Sequence, residues 1–240
     1  GDTLNARTFA MAEKSGNPLM TICSTCQGVM SQANERLLAD PEYLASINED
    51  LKEEGLEYRG TADPKHLLWI IAEDLGIDFL ESKLVNKLDG LKLAPFYGCY
   101  IVRPTKALGF AENPGRKQAL EMVIESVGAE VVDFPGKTLC CGFPILTINP
   151  ENSVNMVANH TIDAKDRGAD AMVTPCPLCH LNLDGYQPNA ASARKREIDL
   201  PIIHLPQLLG LALGISPEKM RLNKHIVSTK KLLSELIISP

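Results

Sequence analysis

The 240-residue chain is long enough for one large domain or two small ones with real cores. Its 45% hydrophobic and 22% charged residues are ordinary for a globular protein. A net charge of −6 without any basic tract excludes nucleic acid as a main partner, because phosphate binding needs clustered Lys and Arg.

Residues 1–20 mix Asp, Arg, Glu and Lys with no sustained apolar run, so no signal peptide is read there. Residues 2–14 carry a helical pattern. Residues 18–22 read as a strand that runs into Cys23-Ser24-Thr25-Cys26. Residues 40–88 read as helical. Asp40-Pro41 and Asp63-Pro64 each offer an N-cap followed by Pro at the first helical position, and Gly55 and Gly76 offer stops. Trp69 and its apolar neighbours read as core. Residues 87–92 (KLDGLK) mark a junction that divides the chain into units of residues 1–91 and 92–240.

The second unit alternates strands and helices. Residues 93–99 (LAPFYGC) read as a strand, 116–127 as a helix ended by Gly128, and 130–134 (EVVDF) as a second strand. The loop 135–144 holds Cys140 and Cys141. Residues 151–167 form a helix ended by Gly168, and 170–174 (DAMVT) a third strand running into Cys176 and Cys179. A further helix begins at Pro177. This alternation predicts an α/β fold with a short parallel sheet and flanking helices. Loops leaving such strands gather at one sheet edge, so Cys99, Cys140, Cys141, Cys176 and Cys179 should converge there. The apolar stretch 208–215 is far short of the roughly 20 apolar residues of a membrane span, and reads as a buried helix or a membrane-surface or partner-docking helix.

Seven cysteines, two Cys-x-x-Cys pairs and one Cys-Cys pair make a poor disulfide framework and point to a metal or redox site in a reducing, cytoplasmic setting. A single Cys-x-x-Cys is ambiguous between zinc, a dithiol and a cluster. The full set is Cys, 40 residues, Cys-Cys, 34 residues, Cys-x-x-Cys. Tetrahedral zinc leaves one of these five thiols over, so an iron–sulfur cluster fits better, with a structural zinc protein as the alternative. A vicinal Cys140–Cys141 disulfide is a further possibility for a cluster-free chain. His180 is a candidate donor to a cluster sulfur or a packed histidine. His66, His160, His204 and His225 show no spacing that suggests a site. Neither a dinucleotide fingerprint nor the four-cysteine run of bacterial ferredoxins is present, so electrons must come from a partner.

The first unit repeats the end of this pattern. A shift of 153 residues lays Cys23 on Cys176 and Cys26 on Cys179 without a gap. Partners of Cys140 and Cys141 would then fall about a dozen residues before Gly1, and a partner of Cys99 about 55 before it. With a first residue of Gly, the first unit reads as N-terminally truncated.

The motifs Phe96-Tyr97-Gly98-Cys99-Tyr100, Cys140-Cys141-Gly142-Phe143-Pro144 and Thr174-Pro175-Cys176-Pro177-Leu178-Cys179-His180-Leu181-Asn182-Leu183-Asp184 resemble the cysteine-rich CCG domain of the heterodisulfide reductase B-subunit family. Cys23-Ser24-Thr25-Cys26-Gln27-Gly28, His66-Leu67-Leu68-Trp69 and His204-Leu205-Pro206-Gln207-Leu208 add to the resemblance, as does the stretch LNKHIVST at 222–229. The resemblance implies two pseudo-repeated CCG domains, the second complete. It implies a noncubane [4Fe–4S] cluster on Cys99, Cys140, Cys141, Cys176 and Cys179. It also implies a second cluster or zinc involving Cys23 and Cys26 in a full-length protein. It further implies an oxidoreductase subunit, active only with flavoprotein and iron–sulfur partners. Such a subunit reduces a disulfide or transfers electrons. Related subunits serve succinate dehydrogenase or fumarate reductase complexes with quinone, peripherally at the cytoplasmic membrane face, and others serve lactate- or glycolate-oxidising complexes.

Overall fold

The computed structural model describes residues 1–236. Helix α1 (Asp2–Ser15) ends at Gly16, whose positive φ of 68° closes the last turn onto Glu13. Strand β1 (Leu19–Thr21) leads into α2 (Ser24–Ala39), and α3 (Pro41–Leu51) follows. The Asp40 carboxylate accepts the Tyr43 N–H at 3.0 Å, so the expected cap with Pro41 behind it is present.

The helical expectation for 40–88 fails after Gly55. Residues 55–63 are extended or irregular. Their path is fixed by Glu13, whose carboxylate accepts the backbone N–H groups of Arg59 and Thr61. Pro64 does not start a helix; it opens strand β2 (Pro64–His66). β2 pairs in parallel with β1, and buried Gln27 bridges the two, accepting from Thr21 and donating to the Pro64 carbonyl at 2.6 Å. Helix α4 (Leu67–Trp69) starts at His66 instead and continues as a wide π-helical turn to Leu75, before α5 (Ile77–Ser82).

Strand β3 (Lys92–Pro95), α6 (Ala119–Ser126), β4 (Glu130–Val131), α7 (Pro150–Asp166), β5 (Ala171–Thr174) and α8 (Pro177–Gly185) follow the expected alternation. Strands β3 and β4 are shorter than read from sequence. Beyond α9 (Gln187–Arg194) comes an unforeseen strand, β6 (Ile202–His204), then α10 (Leu205–Ala212) and α11 (Lys230–Glu235). The four strands form one all-parallel sheet in the order β4-β3-β5-β6.

Alternate residues of this sheet serve two cores, as a period of two requires. Leu93, Ala171, Val173 and Ile203 pack with Leu120 and Val123 of α6 and Leu208 of α10. Ala94, Met172 and Ile202 pack with Val157 of α7, Leu183 of α8 and Ala190 of α9. Helices thus cover both faces, as all-parallel sheets demand. Leu68, Trp69, Ile71 and Leu80 join the first of these cores, whereas α1–α3 form a third around Phe9, Leu37 and Tyr58. The 208–215 stretch is a core helix for most of its length; Leu208, Leu211 and Ala212 are buried. Among the described residues no helix is long and apolar enough to cross a membrane.

β3 lies between β4 and β5, and the helices leading from it and back past it lie on opposite faces. The loops leaving β3 and β5 therefore part at this point, the usual crevice for a ligand in an open parallel sheet.

Candidate metal centre

The β3 loop is held from both sides. The Phe96 N–H donates to the Val173 carbonyl at 2.7 Å, and the Tyr97 N–H to the Lys137 carbonyl at 2.8 Å. Gly98 then turns with φ +72°, and a Cβ there would stand 2.9 Å from Cys179 Sγ. Glycine is needed at this position both for the left-handed backbone and for the closeness of the sulfur. Cys99 follows directly.

Cys140 and Cys141 precede Gly142, whose φ is +95° and whose absent Cβ would sit 2.8 Å from Ser153 Oγ. This turn aims two backbone N–H groups at sulfur: Gly142 N lies 3.4 Å from Cys140 Sγ, and Phe143 N lies 3.5 Å from Cys141 Sγ. The two carbonyls are fixed as well. His160 Nε2 lies 2.9 Å from the Cys140 carbonyl, and Asn182 donates to the Cys141 carbonyl at 2.7 Å.

Cys176 leaves β5 in an extended conformation (φ −125°, ψ 118°) and caps α8, with Pro177 at the first helical position. Its N–H is held by Thr174 Oγ1, and Cys179 sits in the first turn, so both thiols lie at the positive end of the helix dipole. Cys23 leaves β1 in the same way (φ −140°, ψ 120°) and caps α2. Its sulfur lies 4.0 Å from Cys176 Sγ, and Thr25 Oγ1 lies 3.8 Å from the same sulfur. Cys26 is exposed.

The thiols form a continuous series of neighbours. Cys99 meets Cys140, Cys140 meets Cys141, Cys141 meets Cys179, Cys179 meets Cys176, and Cys176 meets Cys23. Their acidities alternate accordingly. The neighbouring thiols Cys141 and Cys99 pull Cys140 well below the ordinary thiol range, and Cys179 and Cys23 do the same to Cys176. Proximity to Cys140 raises Cys99 and Cys141, and proximity to Cys141 and Cys176 raises Cys179. So many sulfurs at such separations cannot all be anionic without a cationic centre among them, and binding one would release the remaining protons. The donor set is soft, multidentate and suited to iron–sulfur chemistry.

Cys99, Cys141, Cys176 and Cys179 line one cavity of about 220 Å³. Its other walls are Tyr100, Phe143, Pro144 and Leu178, with Ser24 and Thr25 of α2 closing one side. Among the described residues no charged side chain lines it.

A family model described as "Cysteine-rich domain" (CCG) matches residues 93–184, the stretch that carries all five of these cysteines. The chain is 37% identical to the 8-methylmenaquinol:fumarate reductase membrane anchor subunit of Wolinella succinogenes, over 95% of this chain and 78% of that protein. It is 33% identical to the B subunit of the ferredoxin/F420H2-dependent CoB-CoM heterodisulfide reductase of Methanosarcina acetivorans, over 97% of this chain and 78% of that one. The chain belongs to the heterodisulfide reductase B-subunit family. A crystal structure of a hypothetical protein from Helicobacter pylori shares the fold, with a TM-score of 0.75 at 19% identity, covering 95% of this chain and 41% of that one.

Within this family member several residues near the site gave no signal as single letters. Asn182 lies six residues after Cys176 in the same motif, yet only the fold shows that its amide holds the Cys141 carbonyl. His66 is fully buried; its Nδ1 accepts the Leu68 N–H at 3.0 Å and its Nε2 faces the Pro175 carbonyl at 3.1 Å, one residue before Cys176. His180 makes no hydrogen bond to a sulfur among the described residues. It packs instead against His204 and His225. The spacing of His180 and Asp184, four residues apart on α8, was the available clue; His225 had none.

Proposed function

We propose that this chain is the iron–sulfur subunit of a redox complex and that Cys99, Cys140, Cys141, Cys176 and Cys179 hold a noncubane [4Fe–4S] cluster. The convergence of these five thiols at one sheet edge carries the reading. Bound there, the cluster would supply iron sites able to exchange electrons with a partner or to take a substrate sulfur. The protein's own part is support. Gly98 allows close approach, the N–H groups of Gly142 and Phe143 stabilise anionic sulfur, and the apolar wall of Phe143, Pro144 and Leu178 keeps water away. Residues 92–240 form the complete CCG unit in this proposal, and residues 1–91 a partial one whose Cys23 and Cys26 would supply two of the ligands of a second cluster or zinc in a full-length protein.

Metal analysis of anaerobically purified protein tests the reading. Iron and acid-labile sulfide in equal amounts support it; zinc without either rejects it in favour of a structural zinc protein.

Two activities fit such a subunit: thiol/disulfide reduction and quinone-linked electron transfer. The uncharged, largely apolar cavity favours the second, because an anionic disulfide would want Lys or Arg around it. The 37% identity to a menaquinol:fumarate reductase subunit supports the same choice. We place the subunit peripherally at the cytoplasmic membrane face, working with flavoprotein and iron–sulfur partners. Copurification with a succinate dehydrogenase-type flavoprotein would support this activity; copurification with a heterodisulfide reductase-type flavoprotein would overturn it.

A further inference from the structure

Behind the cysteine cavity, three side chains from two parts of the chain meet. His180 and Asp184 stand four residues apart on α8 and so share one face of it. His225 arrives from the segment after α10. That segment is tied to the helix by the Ile226 N–H, which donates to Asp184 Oδ2 at 2.8 Å, and the Val227 N–H, which donates to Oδ1 at 3.0 Å. One ligand atom from each of His180, Asp184 and His225 lies within 4.8 Å of the other two.

The histidine nitrogens in this cluster are left over. Among the described residues His180 Nε2 and His225 Nδ1 are buried without a hydrogen-bond partner at normal geometry; the Ile202 backbone is the group facing both rings. The rings sit 4.7 Å apart, so packing accounts for their carbon faces. It does not account for two unmet polar atoms beside a carboxylate, which a folded protein seldom tolerates. Asp184 can still take a further partner, since each carboxylate oxygen has a second lone pair beyond its backbone bond. His225 Nε2 already faces Gln207 Nε2 at 3.0 Å, which leaves Nδ1 as the ring nitrogen open to a metal once its proton moves to Nε2.

We propose that His180, Asp184 and His225 form a binding site for a divalent transition metal, separate from the cysteine centre. Two imidazoles and one carboxylate suit zinc, cobalt or ferrous iron, and not calcium or magnesium, which want more oxygen ligands. Ligands on a tetrahedral ion at ordinary Zn–N distances stand roughly 3.4 Å apart, so modest side-chain rotations close the site. A metal there clamps the C-terminal segment onto α8, the helix whose first turn carries Cys179. Coordination through Nδ1 puts the His225 ring proton on Nε2, so the Gln207 amide, which now turns its nitrogen there and its oxygen to the His204 N–H, has to rotate for its oxygen to accept that proton.

Titration of the protein with Co²⁺ tests the proposal, because cobalt bound by thiolates shows sulfur-to-metal charge transfer and cobalt bound by histidine and carboxylate does not. The expected result is one equivalent per chain of cobalt free of that transition, lost in His225→Ala while any thiolate-bound cobalt persists. Thiolate signatures on all bound cobalt, or an unchanged thiolate-free equivalent in His225→Ala, would overturn it. Gln207→Glu gives an independent arm should His225→Ala fail to fold. A carboxylate there accepts from both the His204 N–H and the His225 ring and should tighten cobalt about tenfold; unchanged or weaker binding contradicts the proposal.

Discussion

Cys23 and Cys176 hold their sulfurs 4.0 Å apart across 153 residues of sequence. Each ends a short parallel strand in nearly the same extended conformation and caps the helix that follows. Closeness alone does not make Cys23 a ligand of the five-cysteine centre. Cys176 lines the cavity and Cys23 does not. Cys176→Ser should therefore lose most of the protein's iron and sulfide, while Cys23→Ser keeps the iron of that centre. Equal loss in both variants, measured as iron per chain, would mean that the ligand set has been drawn wrongly.

Gly98→Ala tests the turn beside Cys99. The added methyl meets Cys179 Sγ at 2.9 Å, in a backbone of φ +72° that disfavours any side chain. The strain is about 1–2 kcal/mol, before the sulfur moves. The variant should fold with a lowered thermal midpoint and carry markedly less iron than wild type. A full iron complement would show that Cys179 has room to give.

Asn182→Leu removes the donor to the Cys141 carbonyl and leaves that carbonyl buried without its partner. The expected destabilisation is about 1–3 kcal/mol, read from urea unfolding of the metal-free chain. A change under about 0.5 kcal/mol would show that another group or a water takes over.

His66 sets an acid limit on stability. Burial drives its pKa down from 6.5 to about 4, against the pull of the Pro175 carbonyl. A depressed base is bound neutral, so the folded state binds fewer protons than the unfolded chain between these values. The stability from neutral His66 is fully present above pH 6.5 and is lost progressively as the pH falls towards 4, by up to about 3 kcal/mol. The tautomer explains the preference: with Nδ1 accepting the Leu68 N–H, a second ring proton would face that donor. His66→Gln should be less stable at pH 7.5 and should show a shallower fall in stability over this range. An unchanged slope would assign the acid sensitivity to other histidines.

Much of the second half was legible because its chemistry is punctuated locally. Gly128 and Gly168 end helices, Pro177 starts one, and β-branched runs mark β4 and β5. The convergence of five cysteines followed from strand–helix alternation alone. What the sequence hid was set by distant partners. Asp63-Pro64 has the letters of a helix start, yet Gln27, 37 residues earlier, takes the Pro64 carbonyl and makes it a strand. The three residues of β6 carry too little pattern to separate from loop, and they form a strand because β5 offers a free edge. The meeting of His225 with His180 depends on Asp184 capturing the backbone of residues 226 and 227, which no spacing announces.

β1 bonds to β2 on one side only, and among the described residues no strand covers the other. Met20 and Ile22, two residues apart and so on one face of this segment, are about half exposed beside the turn that holds Cys23. The unpaired backbone groups on this flank, next to an exposed apolar face, offer a short template to another extended chain. Isolated at high concentration, the polypeptide should self-associate through this margin, and colloidal behaviour would then report on β1 long before any spectroscopy reported on the cysteines.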